Sequence, residues 1–298
     1  MNLLNKKIII IDNSNLSYSG DDIDGTVVRG TEASLILLAE QFVKMGIEVD
    51  YCNSISNLKK INGVNYFHKN KIVKSYIYDL AIVISDANEF YRVSSIKKAI
   101  FSNSNQPIEK FIRKKQLLPF LKFKPVLITL CEYQFQKRSF LTSFYGKKTI
   151  PITVDPKFLD IDVDTNHLPE RKVVYNIRSN RNLDKLIKIW CERIFPINNQ
   201  FKLYITPNII DYKDYHFNNN IFLRTIGSRS QMINELNSYR ALTYLGHKSD
   251  IFTLTAEEAI KLCLPVVTFG IGSLRERVTH NETGFIANND QEFADFTI

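Results

Sequence analysis

Short β-branched runs alternate with amphipathic stretches along this chain, twice over, and an aperiodic acidic segment separates the two series. Few folds accept that pattern, because consecutive parallel strands need a crossover and a helix is the usual one. In the first series residues 7–11 (KIIII) read as a strand and 12–29 as a long polar loop carrying Gly20 and Gly25. Residues 31–45 (TEASLILLAEQFVKM) read as a helix stopped by Gly46. Further strands are read at 48–52, 80–85, 126–130 and 149–152, with a helix over 132–144. Residues 155–171 (DPKFLDIDVDTNHLPER) hold acids, two prolines and no period, and so read as a linker. The alternation then restarts: strands at 172–175, 201–205, 241–245 and 265–268, with helices at 183–194, 230–239, 255–263 and 274–279. The expectation is an α/β chain of two Rossmann-like domains facing a cleft, with a first domain at 1–155, a linker at 156–171 and a second domain at 172–298. Its 298 residues, 44% of them hydrophobic, suffice for two cores.

Charge is unevenly placed. Residues 1–155 carry 22 Lys and Arg against 14 Asp and Glu, whereas 157–298 carry 17 of each. The excess points the first half toward an acidic partner: a phosphorylated acceptor, an anionic membrane surface or nucleic acid. In residues 109–124 (EKFIRKKQLLPFLKFK) cations interleave with Phe111, Ile112, Leu117, Leu118, Phe120, Leu121 and Phe123. Such a stretch suits an anionic membrane face. The plainer reading is a buried helix and strand edge with solvated lysines, broken at Pro119. Cys52, Cys131, Cys191 and Cys263 stand far apart without a Cys-x-x-Cys pair, which suggests neither a zinc site nor a disulfide framework. No apolar run approaches the roughly 18 residues of a membrane span, and MNLLNKK leads into a strand, not a signal-peptide apolar region. The expected location is therefore the cytoplasm, with peripheral membrane contact through the basic half.

The most specific stretch is 250–284, DIFTLTAEEAIKLCLPVVTFGIGSLRERVTHNETG. An acid and an aromatic lead to a Glu-Ala pair, followed by a Pro-Val-Val strand, a glycine turn, an acid-Val pair and a Thr-Gly turn. Asp250, Phe252, Glu258, Ala259, Pro265, Val266, Val267, Gly272, Glu276, Val278, Thr283 and Gly284 stand at the spacing of a donor-binding signature. The stretch closely resembles that of glycosyltransferase family 4, whose members have the two-domain GT-B fold. A nucleotide sugar offers a ribose diol, two phosphates and several sugar hydroxyls. A carboxylate only accepts hydrogen bonds and can take two hydroxyls at once, so Glu258 suits the ribose. Backbone N–H groups of Phe252, Thr253, Leu254 and Thr255, opening a helix, suit the diphosphate. Asp250 then faces the donor sugar, although the family has Glu there, one methylene longer. For Glu258 the plain alternative is a solvated acid beside Glu257.

A second match is 175–190 (YNIRSNRNLDKLIKIW), which resembles the strand, turn and helix that begin the family's C-terminal domain. Arg181 falls at the position of a cation that stabilises the leaving diphosphate, with Arg178 close by. Asn182 replaces the glycine that usually follows and can adopt the same left-handed backbone. An arginine capping a surface turn is the alternative. Residues 27–49 resemble the family's first loop and helix, with Gly30 matched and Thr31 beside it, though a glycine before a helix is common. Residues 221–245 fit the strand, turn and helix flanking the base pocket, where Gly227 and Ser228 are candidates and helix capping is the alternative. The family's N-terminal histidine has no clear counterpart: His68 stands outside the expected strand end, and His247 and His280 read as structural or solvated. The chain ends at Ile298, where the family continues with helices that complete the domain.

By resemblance the reaction is transfer of a sugar from a nucleotide-diphosphate sugar to a glycan, lipid-linked or small-molecule acceptor, with retention of configuration; no sequence feature identifies a protein nucleophile. No cofactor is implied, because the nucleotide sugar is a substrate. No metal is implied either. The Asp-x-Asp pairs at Asp160, Asp162 and Asp164 lie in the linker, where acids keep a hinge solvated. Nucleic acid is set aside because the resemblance supplies no base-reading element. A catalytically inactive GT-B homologue serving as a binding or scaffolding subunit is the rival reading. A nicotinamide enzyme fits poorly, since no Gly-x-Gly-x-x-Gly follows the first strand.

Overall fold

The computed structural model describes residues 5–25, 28, 30–105, 107–163, 168–178, 180–206, 219–224 and 227–298. The chain divides into two units, Met1–Thr153 and Val154–Ile298, each built on its own sheet.

The first unit contains β1 (Lys7–Ile11), α1 (Gly30–Lys44), β2 (Glu48–Asn53), β3 (Lys59–Ile61), β4 (Val64–His68), β5 (Ile77–Ile84) and β6 (Ser94–Phe101). It continues with α2 (Ile108–Arg113), α3 (Leu117–Phe123), β7 (Val126–Thr129), α4 (Glu132–Gln136) and β8 (Lys147–Thr149). Strand order is β3-β4-β2-β1-β5-β6-β7-β8, parallel except for the β3–β4 hairpin. β1 lies between β2 and β5 and is covered on both faces, which explains its unbroken run of isoleucine: Ile8, Ile9, Ile10 and Ile11 are all buried. The described part of the loop after β1, residues 12–25, is more closely hydrogen-bonded than its polar sequence suggests. Buried Asp12 accepts from the Ser14 N–H (2.9 Å) and hydroxyl (2.8 Å) and from the Tyr18 hydroxyl (2.5 Å), and Tyr18 meets Tyr51 at 2.8 Å. Burial first, with Tyr51 and Asp12 beside it, raises the Tyr18 phenol far above its usual range and keeps it a donor.

Two helix readings are corrected here. Pro119 does not break the basic segment; it is the third residue of α3, in the first turn, where a backbone N–H has no intrahelical acceptor to lose. The break lies just before α3, where Lys115 takes a left-handed φ of 55°. The helix expected over 132–144 stops at Gln136, and Ser139 then caps a separate 3-10 turn at Phe140–Ser143 by accepting from the Leu141 N–H.

The second unit contains β9 (Lys172–Tyr175), α5 (Leu183–Ile189), β10 (Lys202–Ile205), β11 (Ile221–Leu223), α6 (Arg229–Leu236) and β12 (Ala241–Thr243). It ends with α7 (Leu254–Lys261), β13 (Val266–Thr268), β14 (Gly284–Ile286) and α8 (Asp290–Thr297). All its strand pairs are parallel, in the order β11-β10-β9-β12-β13-β14. Counted from β9, that is the 3-2-1-4-5-6 order of a Rossmann sheet, and the direction of winding reverses between β9 and β12. Its core is closed by Phe158, Trp190, Phe201 and Phe293, all essentially inaccessible. Val154 and Phe158 belong to this core. The head of the stretch read as a linker is therefore part of the second unit, folded in by a 3-10 turn at Pro156–Phe158 that Asp155 caps. Residues 164–167, Asp164 among them, lie outside the described residues.

Candidate functional site

Open sheets of this order receive ligands at the carboxyl ends of their strands, where the winding reverses. In the second unit those ends are Tyr175 of β9 and Thr243 of β12. The loops that leave them bring together residues distant in sequence.

The Tyr175 hydroxyl lies 2.9 Å from the carbonyl oxygens of both Arg178 and Arg181, so a buried phenol gathers the loop after β9. Asn182 follows with φ 65°, the left-handed conformation assigned to it from sequence, and its side-chain amide donates to the Gly246 carbonyl at 2.6 Å. That bond ties the β9 loop to the β12 loop. Between them Arg181 Nε meets Asp250 Oδ1 at 3.1 Å, and Arg181 Nη1 lies 3.2 Å from His247 Nδ1. The Ser249 N–H also donates to that Nδ1, at 3.1 Å. Arginine and the backbone N–H only donate, so Nδ1 accepts in both contacts. Asp250 Oδ2 accepts a short hydrogen bond from the Tyr244 hydroxyl. Burial and then the adjacent carboxylate push that phenol well above its ordinary range, which holds it as the donor. The cluster is walled by Gly272, φ 76°, where a Cβ atom would stand 2.4 Å from the His247 carbonyl oxygen and 3.0 Å from that of Asp250. Only glycine fits there.

The helix that follows begins without a side-chain cap. Thr253 precedes α7, but its hydroxyl turns to Ser273 Oγ at 2.9 Å and makes no cap bond. The first-turn N–H groups of Leu254 and Thr255 are left uncapped by that side chain, at the positive end of the helix. Phe252 is half-buried under the Arg277 guanidinium, 4.2 Å from the ring centre, and Arg277 Nη1 meets Glu257 Oε1 at 3.3 Å.

Glu258, in α7, has different partners. It is 6% exposed, and its Oε1 lies 3.5 Å from Arg229 Nη2, while Arg229 Nε meets Asp155 Oδ2 at 2.9 Å. Burial pushes its carboxyl up to about 7; Arg229 draws it down, and Asp155 adds to the rise. Sequence reasoning missed Arg229 and Asp155, since nothing local marks two residues so far apart as partners. It also missed Tyr244 and the contact of His247 with Arg181.

The remaining candidates fall elsewhere. Ser228 caps α6 in a reciprocal capping box with Gln231, and a Cβ on Gly227 would lie 2.5 Å from the Gln231 amide oxygen. Gly227 also lines a cavity of about 470 Å³ with Tyr204, Leu223, Arg224, Gln231 and Glu235. Arg224 is held by Glu235 at 2.6 and 3.0 Å, by Thr206 at 2.8 Å, and by Asn176 in the loop after β9. Arg178 is exposed. Gly30 and Thr31 open α1 in the first unit, where the Gly30 carbonyl accepts from Ser34 at 2.8 Å. His68 ends β4 and caps the following turn. Among the described residues no group of three or more His, Cys, Asp or Glu side chains is arranged to hold a metal ion.

No protein-family profile matches the chain, and no curated protein sequence matches it. Solved structures do. The chain is similar to a glycosyltransferase from Rickettsia africae, with 13% identity and a TM-score of 0.69 over 98% of this chain and 86% of that one. It is similar to a sucrose-phosphate synthase from Thermosynechococcus elongatus, with 12% identity and a TM-score of 0.68 over 98% and 88%. It is also similar to Anabaena HepE, solved in complex with UDP-glucose, with 14% identity and a TM-score of 0.64 over 98% and 88%. These are GT-B glycosyltransferases, and the fold of this chain, two Rossmann-like α/β units in succession, is the GT-B fold.

Proposed function

We propose that the protein transfers a sugar from a nucleotide-diphosphate donor to an acceptor hydroxyl, in the manner of family 4, and that the donor site is in the second unit. The observation that carries this reading is the pairing of Arg181 with Asp250 at the winding reversal, next to the uncapped start of α7. The diphosphate lies against the α7 N–H groups and Arg181, whose Nε faces Asp250 and whose Nη1 faces His247. Fixed positive charge there stabilises the nucleoside diphosphate as the bond from its oxygen to the anomeric carbon breaks and the acceptor oxygen bonds to that carbon, the acceptor hydroxyl giving its proton to the departing phosphate oxygen. His247 and Asp250 hold the guanidinium in place beforehand. Glu258 receives the ribose hydroxyls and the cavity beside Gly227 receives the base. Retention of configuration and independence of metal belong to the same proposal, as does HepE-like use of a uridine nucleotide.

One observation favours the rival. Glu258 is already committed to a buried pair with Arg229, which suits a homologue that binds nucleotide sugar without turning it over. A mass-spectrometric screen of nucleotide sugars separates the readings. Consumption of one donor with release of its nucleoside diphosphate supports transfer, retention without consumption supports the inactive homologue, and neither retention nor consumption refutes both.

A further inference from the structure

Residues 107–150 carry ten Lys and Arg against two Asp and Glu, which equals the formal net charge of +8 of the entire chain. The same segment displays apolar side chains. Leu118 is 75% exposed, Phe144 72% and Ile112 56%, with Leu121 and Leu141 also exposed. These residues are neighbours. Leu117, Leu121, Leu141 and Phe144 line a groove of about 200 Å³ whose floor is Phe111 and Phe120. Leu118 stands one helical turn before Leu121 on α3, and Ile112 one turn after Ile108, another lining residue. Around them Arg113, Lys114, Lys115, Lys122 and Lys124 are exposed.

We infer that this face of the first unit, α2, α3 and the turn at Phe140–Ser143, docks on an anionic lipid bilayer, with Leu118 and Phe144 entering the acyl boundary and the groove taking a hydrocarbon chain. Exposed apolar side chains rimmed by flexible cations are what a headgroup layer accepts, because the apolar parts leave water while the charged ends stay at the phosphates. Protein interfaces are instead depleted in lysine. A second copy of the chain is disfavoured by charge, since a symmetric contact here sets two strongly basic segments against each other. No helix among the described residues is long and apolar enough to cross a membrane, so the inferred contact is with the surface. The inference stands independently of the donor site.

The test is co-sedimentation of the full chain with vesicles of phosphatidylcholine alone and of phosphatidylcholine mixed with phosphatidylglycerol, at low and high salt. Two variants are compared: Arg113→Gln with Lys114→Gln and Lys115→Gln, and Leu118→Ser with Phe144→Ser. All these side chains are exposed, so unchanged thermal unfolding and circular dichroism serve as the folding control. The expected result is binding to the anionic vesicles only. It falls with salt, is weakened roughly a hundredfold by the triple change if each cation contributes its usual share, and is weakened at every salt concentration by the double change. No binding at low salt, indifference to lipid charge, or binding unchanged in both variants overturns the inference. So does a concentration-dependent dimer that the double change abolishes while vesicles are ignored, which makes the face a self-association surface.

Discussion

Replacing Glu258 with Gln should move stability and donor affinity in opposite directions. The carboxyl is 6% exposed and is raised from 4.5 to about 7, burial being the largest cause. Because the folded value lies above the unfolded one, the folded state binds the extra proton. This group therefore costs nothing below pH 4.5, its penalty grows as pH rises, and the cost is complete above about 7. A rise of that size corresponds to roughly 3 kcal/mol. Gln keeps the shape without the charge, and Arg229 keeps its ion pair with Asp155 at 2.9 Å. Relative to wild type, the variant should gain about 1–3 kcal/mol between pH 5 and pH 8. Trp190 is the only tryptophan and is buried in the core of the same unit, so its fluorescence in urea follows unfolding where Glu258 resides. Over the same change, nucleotide-sugar affinity by calorimetry should fall by about 1.5–3 kcal/mol, the scale of a hydrogen bond to a charged group. A stability difference that does not vary with pH would show that the carboxyl titrates as an ordinary one. Undiminished donor affinity in a folded variant would remove Glu258 from the site.

Three further substitutions probe the cluster. Gly272→Ala sets a methyl 2.4 Å from the His247 carbonyl oxygen at φ 76°, and should lower the thermal midpoint by more than the few degrees that about 1 kcal/mol produces. Asn182→Gly keeps the left-handed backbone and should cost less than Asn182→Ala, which loses the conformation as well as the 2.6 Å bond to Gly246; equal losses in urea would refute a backbone role. Asp250→Glu introduces the side chain that glycosyltransferase family 4 has at the position Asp250 resembles, but it must fit against both Arg181 and Tyr244, so turnover should fall while the fold persists; retained or raised turnover would mean that the cluster yields to the longer acid.

Most of the architecture could be read from periodicity, because strands such as β1 and β13 are apolar runs and helices such as α1 alternate with them. What escaped has local reasons. β6 begins SSIKK, and its lysines point away from an apolar pattern although the strand pairs along its length with β5. The β3–β4 hairpin carried a readable signal, Asn62-Gly63 with both φ positive, and so did α8, where Asn289 accepts from the N–H groups of Gln291 and Glu292. In the site, Arg181, Asp250 and Asn182 were marked by motif spacing, and the structure brings them together. His247, Arg229 and Asp155 were not marked, since each matters through a partner distant in sequence, and Tyr244 was not because its bond to Asp250 follows no motif. Ser228 illustrates the reverse. The residues that matched a pocket-flanking turn form a helix cap, a local task that the same sequence serves equally well.

The most direct test of the account is steady-state turnover by Arg181→Ala with the donor that the screen identifies. If Arg181 stabilises the departing diphosphate, its charge matters more in the transition state than in the bound donor, and kcat should fall by about 100-fold or more while KM changes little. Turnover equal to wild type, or a rise in KM alone, would contradict the assignment of catalysis to the cluster at the ends of β9 and β12.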